Sequence, residues 1–190
     1  MSTPSVSRPT PPRGYLGVIR TIDKFTEVTS YLFVIMIVPL ILANVVEVFA
    51  RYVLRAPTVW ALDVTTMSYA TLFMLGAALA LLRGAHVRTD MLWERFSDRT
   101  KGMIDTLALL VFFLPTMVIL FFISVDDFLY AISIDERSSS GAWAVYLWPL
   151  RGVIPLTAFM LFFQGISELM KSVWAWRTGE FLAVHEKIEV

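Results

Sequence analysis

Four apolar stretches, each about as long as a bilayer crossing, constrain this chain more than any other feature. They are YLFVIMIVPLILANVVEVFA (Tyr31–Ala50), VTTMSYATLFMLGAALALL (Val64–Leu82), IDTLALLVFFLPTMVILFFISV (Ile104–Val125) and VIPLTAFMLFFQGISELMKSVW (Val153–Trp174). A helix rises about 1.5 Å per residue, so about 20 mostly apolar residues cross a hydrocarbon core about 30 Å thick. Backbone polar groups find no water at that depth, so a spanning segment must pair them internally. The sequence therefore predicts an all-α membrane protein with four transmembrane helices. A soluble reading fails for lack of polar surface: 57% of residues are hydrophobic, only 17% are charged, and mean hydropathy is +0.67.

The fourth stretch carries Gln164, Glu168 and Lys171, spaced by four and three on one helical face. A spanning helix with one polar stripe packs that stripe on protein and turns its other faces to lipid. An amphipathic helix lying in the interface is the competing reading of this stretch, and the uncharged run Val153–Phe163 argues for the span. Tryptophan placement supports all four spans. Trp60, Trp93, Trp143, Trp148, Trp174 and Trp176 all fall at run ends or in links, where an indole meets hydrocarbon on one edge and headgroups on the other. Pro39 and Pro115 lie inside runs, which membrane helices tolerate. Pro155 is expected in a first turn, where proline does no harm.

Basic residues set the orientation. Arg8, Arg13, Arg20 and Lys24 precede the first run, and Arg83, Arg88, Arg95, Arg99 and Lys101 follow the second. Lys171, Arg177 and Lys187 lie at the far end, making twelve on one side. The opposite side holds four: Arg51, Arg55, Arg137 and Arg151. The positive-inside rule then puts both termini and the second link in the cytoplasm. Residues 1–24, rich in Pro, Ser, Thr and Arg, read as a disordered cytoplasmic tail. A 25–177 transmembrane domain and a 178–190 cytoplasmic tail complete the organisation. The first run comes too late and is too long for a cleaved signal, so it is expected to be an anchor. Phe128–Ile134 is expected to prolong the third helix beyond the membrane surface. The link after it carries Asp126, Asp127, Asp135 and Glu136 and is net acidic.

Polar residues at membrane depth are the candidates for function. Asn44, Glu47 and Arg51 form a stripe near the outer end of the first helix, and Glu47 and Arg51 have ion-pair spacing. Gluing helices or subunits together is the weightier role for this stripe; ion or substrate handling is the lesser one. Gly76-Ala77-Ala78 gives the second helix a small-residue face that permits close packing. Beyond that helix, Arg83, His86, Arg88 and Asp90 crowd into one turn. Asp90 is expected to cap a short surface helix over Met91–Phe96, with Trp93 in the headgroups. Two histidines, His86 and His185, cannot build a three-ligand zinc site, and neither lies inside a span to hold haem. The chain has no cysteine, Gly-x-Ser-x-Gly, His-Glu-x-x-His or phosphate loop, so no catalysis and no cofactor is expected. A net charge of zero gives no field for nucleic acid.

Three segments together carry a resemblance. Arg51-Tyr52 is followed by Pro57, Trp60 and Asp63. Leu75-Gly76-Ala77-Ala78 is followed by Arg83, Gly84, His86, Arg88 and Asp90. Trp143, Trp148 and Pro149 precede Pro155 and Gln164. Their order and spacing, over roughly residues 22–177, resemble the small membrane subunit of the tripartite ATP-independent periplasmic (TRAP) transporters. The Gly-x-His-x-Arg-x-Asp turn after a small-residue helix is the most specific element. The resemblance implies a four-helix scaffold subunit in the bacterial inner membrane, paired with a large membrane subunit that carries the substrate and sodium sites. It also implies a soluble periplasmic solute-binding protein as a transient partner and an organic acid as the default solute. A quinone-binding anchor of a respiratory complex shares size and span count and is the main alternative. A free-standing small channel or exporter is a third reading, separated by whether the chain works without a partner.

Overall fold

A computed structural model describes residues 11–84, 96–139, 143–180 and 182. The described chain is helical, with α1 (Arg13–Val34), α2 (Ile37–Tyr52), α3 (Ala61–Leu82), α4 (Asp98–Ala108), a π-helical turn at Leu109–Phe113, α5 (Leu114–Ser133) and α6 (Trp148–Thr178). Joined where they are continuous, these give four helices long and apolar enough to cross a membrane: Arg13–Tyr52, Ala61–Leu82, Asp98–Ser133 and Trp148–Thr178. All four expected spans are thus present as helix.

The breaks within two of these long helices trace to proline. Proline has no N–H and its ring crowds the carbonyl four residues earlier. Pro39 therefore deprives the Ile35 carbonyl of its usual partner. The chain answers with tight turns: Met36 N donates to Phe33 O and Val38 N to Ile35 O, both at 3.0 Å. This is the junction between α1 and α2. Pro115 withholds an N–H from Val111 in the same way, and the π-helical turn over Leu109–Phe113 absorbs the mismatch. Pro155 behaves differently from its expected place in a first turn. α6 begins seven residues before it, with Pro149 in the opening turn, so Pro155 is interior. The helix runs through it, as bundle helices often do when neighbours hold them. Gly179 ends α6 in the left-handed region (φ 76°), and its N–H donates to Ala175 O at 2.8 Å.

The expected tail border at residue 24 also moves. α1 starts at Arg13, so residues 13–24 are helix, and of the expected tail residues 1–10 lie outside the described residues. The reason is packing: Ile19, Asp23, Thr26 and Ser30 recur at helical spacing and are buried, so this segment has a face to bury despite its polar composition. α4 opens on a proper cap, Ser97 Oγ accepting from Thr100 N at 3.3 Å, with Asp98 in the first turn. α5 runs to Ser133, so most of Phe128–Ile134 does prolong the third helix. The expected Met91–Phe96 helix, with Trp93, lies almost wholly outside the described residues.

α6 is the central element and packs against α1, α3, α4 and α5, while α2 packs on α3. The apolar centre is Leu75, Ala78 and Met160, surrounded by Phe33, Val153 and Leu161. Two glycines let helices approach closely. A Cβ on Gly102 would stand 2.5 Å from Trp176 N and 2.8 Å from Ser172 O, so α4 and α6 touch backbone to backbone there. On Gly165 it would stand 2.7 Å from Phe113, the last residue of the π-helical turn. Outward surfaces are the reverse of a soluble protein's: Leu42, Val45 and Phe49 on α2, and Phe122 and Ile123 on α5, are all more than half exposed. A contiguous apolar coat of this extent belongs against lipid or another subunit.

Candidate functional site

Two polar clusters tie the bundle together, one toward each end. The first joins α1 to α6. Asp23, 2% exposed, receives Ser167 Oγ at 2.7 Å and Gln164 Nε2 at 3.1 Å on Oδ1, and pairs through Oδ2 with Lys171 Nζ at 2.8 Å. Lys171 also pairs with Glu168 at 2.7 Å, and Gln164 Nε2 reaches the same carboxylate at 3.2 Å. Two carboxylates thus share one ammonium, and the amide of Gln164 lies between them. A buried charge is tolerable only when paired and hydrogen-bonded, and here the pairing crosses two helices. Tyr15 fastens the same seam lower down: its hydroxyl donates to Met170 O, and its ring lies 6.0 Å from that of Trp174.

The expected polar stripe Gln164–Glu168–Lys171 therefore does pack on protein. What sequence reading missed is its partner, Asp23, which the tail assignment had set aside. A signal for it was available, because Ile19, Asp23, Thr26 and Ser30 follow spacings of four, three and four, the mark of a buried helical face. Gln164 Oε1, Thr26 Oγ1 and Ser30 Oγ are buried and make no hydrogen bond to a described residue.

The second cluster knits the end that carries the first and third links. Asn44 Nδ2 donates to Thr65 Oγ1 at 3.1 Å, joining α2 to α3. Glu47 accepts from Thr58 N at 2.9 Å, from the Thr58 hydroxyl and from Arg51, so it anchors the first link as well as pairing within its helix. Arg51 is left more than half exposed. Trp60 is half-buried at the position preceding α3, its carbonyl accepting from Val64 N at 3.1 Å. Asp63, 3% exposed in the first turn of α3, accepts from Ser138 Oγ at 2.8 Å and so ties the third link down. That link closes on itself through Ser138 N to Val145 O and Leu147 N to Glu136 O. Arg151 spans it, donating to Asp127 on α5 and to Glu136 at 2.6 Å. This forked clamp suits guanidinium geometry, and sequence reading had counted its members only as charges.

Arg83 is the described part of the crowded turn. Its Nη2 donates to Tyr31 OH at 2.5 Å, tying the end of α3 to α1. His86, Arg88 and Asp90 lie outside the described residues. Gly76 is not a close contact, since no atom stands within 4 Å of where its Cβ would be. Ala78, two residues on, is the small residue the core uses. Among the described residues no group of three or more His, Cys, Asp or Glu is placed to hold a metal ion.

Helices of this length, an apolar exterior and polar groups spent on interhelical bonds define a multi-pass helical membrane protein. A family model described as "Tripartite ATP-independent periplasmic transporters, DctQ component" matches residues 40–174, and the chain belongs to that family. It is thus a component of a transporter, the small membrane subunit of a TRAP system. No curated protein and no solved structure matches the chain.

Proposed function

We propose that this chain is the fixed scaffold for a large TRAP membrane subunit in the bacterial inner membrane. That large subunit couples an ion gradient to the import of an organic acid or similar solute, delivered by a periplasmic binding protein. Family membership over residues 40–174 carries this reading. It is supported by the way polar groups are used: Asp23, Asn44, Glu47, Asp63 and Arg151 each face a partner within the chain. A scaffold holds a constant shape while its neighbour moves, and bonds of this kind stiffen the bundle. The open side of Gly76, the exposed Arg51, and the turn carrying Arg83, His86, Arg88 and Asp90 are the proposed contact points with the large subunit, with Trp60 set at the membrane surface.

The test is reconstitution. Deleting this subunit should abolish uptake in cells, and the purified chain alone in liposomes should transport nothing. Adding the large subunit and binding protein should restore uptake only when this chain is present. Transport by the chain alone, or full uptake without it, would refute the scaffold role.

A further inference from the structure

α1 has three distinct flanks. The first is consumed inside the protein: Ile19, Asp23, Thr26 and Ser30, at most 2% exposed. The second is apolar and open: Val18, Phe25, Val28 and Leu32, spaced by seven, three and four and 48–65% exposed. The third is basic: Arg13, Arg20 and Lys24, spaced by seven and four and all exposed, which places them on one side of a 3.6-residue helix. Exposed Tyr31 continues that line seven residues on. No hydrogen bond or ion pair joins these three cations to a described residue. One acid shares this face, Glu27, half-buried, seven residues past Arg20 and three past Lys24, so the face keeps a net positive charge; Asp23 points inward to Lys171. A shallow groove lined by Arg20, Thr21, Lys24, Phe25 and Val28 follows the seam between the basic and apolar flanks.

The depth of this helix is given by its neighbour. α3 has 22 residues, about 33 Å at 1.5 Å per residue, which matches the hydrocarbon thickness. A spanning helix of that length sets its two ends at the two membrane surfaces. Arg83, just past one end, holds Tyr31, so the part of α1 before Tyr31 lies at or beyond that surface. A helix there with an open apolar flank beside a basic one suits the headgroup region, aliphatic side down and cations at the phosphates.

We propose that this seam binds the headgroups of anionic lipids, with Arg20 and Lys24 on the phosphate and Phe25 and Val28 against the first carbons of the acyl chains. An acidic protein surface would satisfy the cations and leave the apolar flank in water; a lipid satisfies both. The chain has no cysteine, so a single label can be placed at will. Thr21→Cys carrying a fluorophore is reconstituted as the full chain in phosphatidylcholine vesicles doped with either brominated phosphatidylglycerol or brominated phosphatidylcholine. Quenching should favour the anionic lipid by about fivefold or more, the scale expected for one basic residue near an anionic surface, and salt should reduce the preference. The ratio should fall to near one in the R20Q/K24Q variant, and stand near one for a label at Phe73, an exposed position within α3. Equal quenching at residue 21, or a preference that survives R20Q/K24Q, overturns the site. So does a preference lost when the large subunit is co-purified, because protein then covers the stripe.

Discussion

Lys171 is the residue on which the buried seam balances. It pairs with both Asp23 and Glu168, and removing one partner of a buried ion pair typically costs about 3–5 kcal/mol. Lys171→Met should therefore be the more damaging change, since it leaves two carboxylates side by side on Gln164. Asp23→Asn should cost less, because an amide oxygen can still accept from Ser167 and Lys171 keeps Glu168. Lys171→Met combined with Asp23→Asn should recover part of the loss. Melting of the detergent-solubilised protein, followed by size-exclusion fluorescence, orders the three; additive losses would refute the shared-ammonium account. At the opposite end, Asp63→Ala should free the third link while Asp63→Asn should hold it, since Ser138 Oγ needs only an acceptor. Limited proteolysis within residues 134–147 reads the difference, expected to be severalfold for a lost hydrogen bond worth about 1 kcal/mol.

Among whole elements, α4 and α6 meet backbone to backbone at Gly102. Gly102→Ala would drive a methyl into the backbone of Ser172 and Trp176, neither of which can swing aside as a side chain would. Overpacking of this kind costs about 1–3 kcal/mol. Gly76→Ala should be neutral or slightly stabilising within the chain, because its Cβ meets nothing and alanine is the better helix former by about 1 kcal/mol. Paired melting curves of the two variants check this. If Gly76→Ala leaves the purified chain intact yet weakens co-purification of the large subunit, Gly76 lies at the inter-subunit face. The elements also mark where periodicity was enough and where it was not. Apolar runs located all four spans because lipid demands an apolar exterior over a set length. They did not locate the start of α4 or the first five turns of α1, whose composition is largely polar and whose buried face is carried by residue spacing rather than by apolarity.

For the whole molecule, the twelve-to-four division of basic residues yields a topology that fusions can test. A reporter after Arg99 or at the C-terminus should signal cytoplasm, and one at Ser139 should signal periplasm; a cytoplasmic signal at Ser139 would sink the four-span arrangement. Three of the four long helices exceed the bilayer. Arg13–Tyr52 has 40 residues, Asp98–Ser133 has 36 and Trp148–Thr178 has 31, against about 20 needed to cross. At the end that carries the termini α6 packs against both α1 and α4, and there Arg99 Nε donates to Trp176 O at 3.1 Å. Truncation before Lys24 should remove Tyr15, Ile19, Arg20 and Asp23, and leave Lys171 paired with Glu168 alone. We expect lower thermal stability with unchanged insertion, measured by melting and by membrane extraction.

The sequence by itself determined the class of this protein: helical, four-spanning, and close to one transporter family in the order of its motifs. Those conclusions follow from local quantities, namely run length, charge per link and residue spacing, which need no knowledge of what packs on what. Only the tertiary structure decided which polar residues meet. Asp23 lies 148 positions from Lys171 and 141 from Gln164 in the numbering, Asp63 lies 75 from Ser138, and no one-dimensional pattern pairs them. The pairing follows from the packing of α1 against α6 and of the third link against the start of α3. A charge is stable at these depths only where a neighbouring helix brings its counterpart within hydrogen-bonding distance.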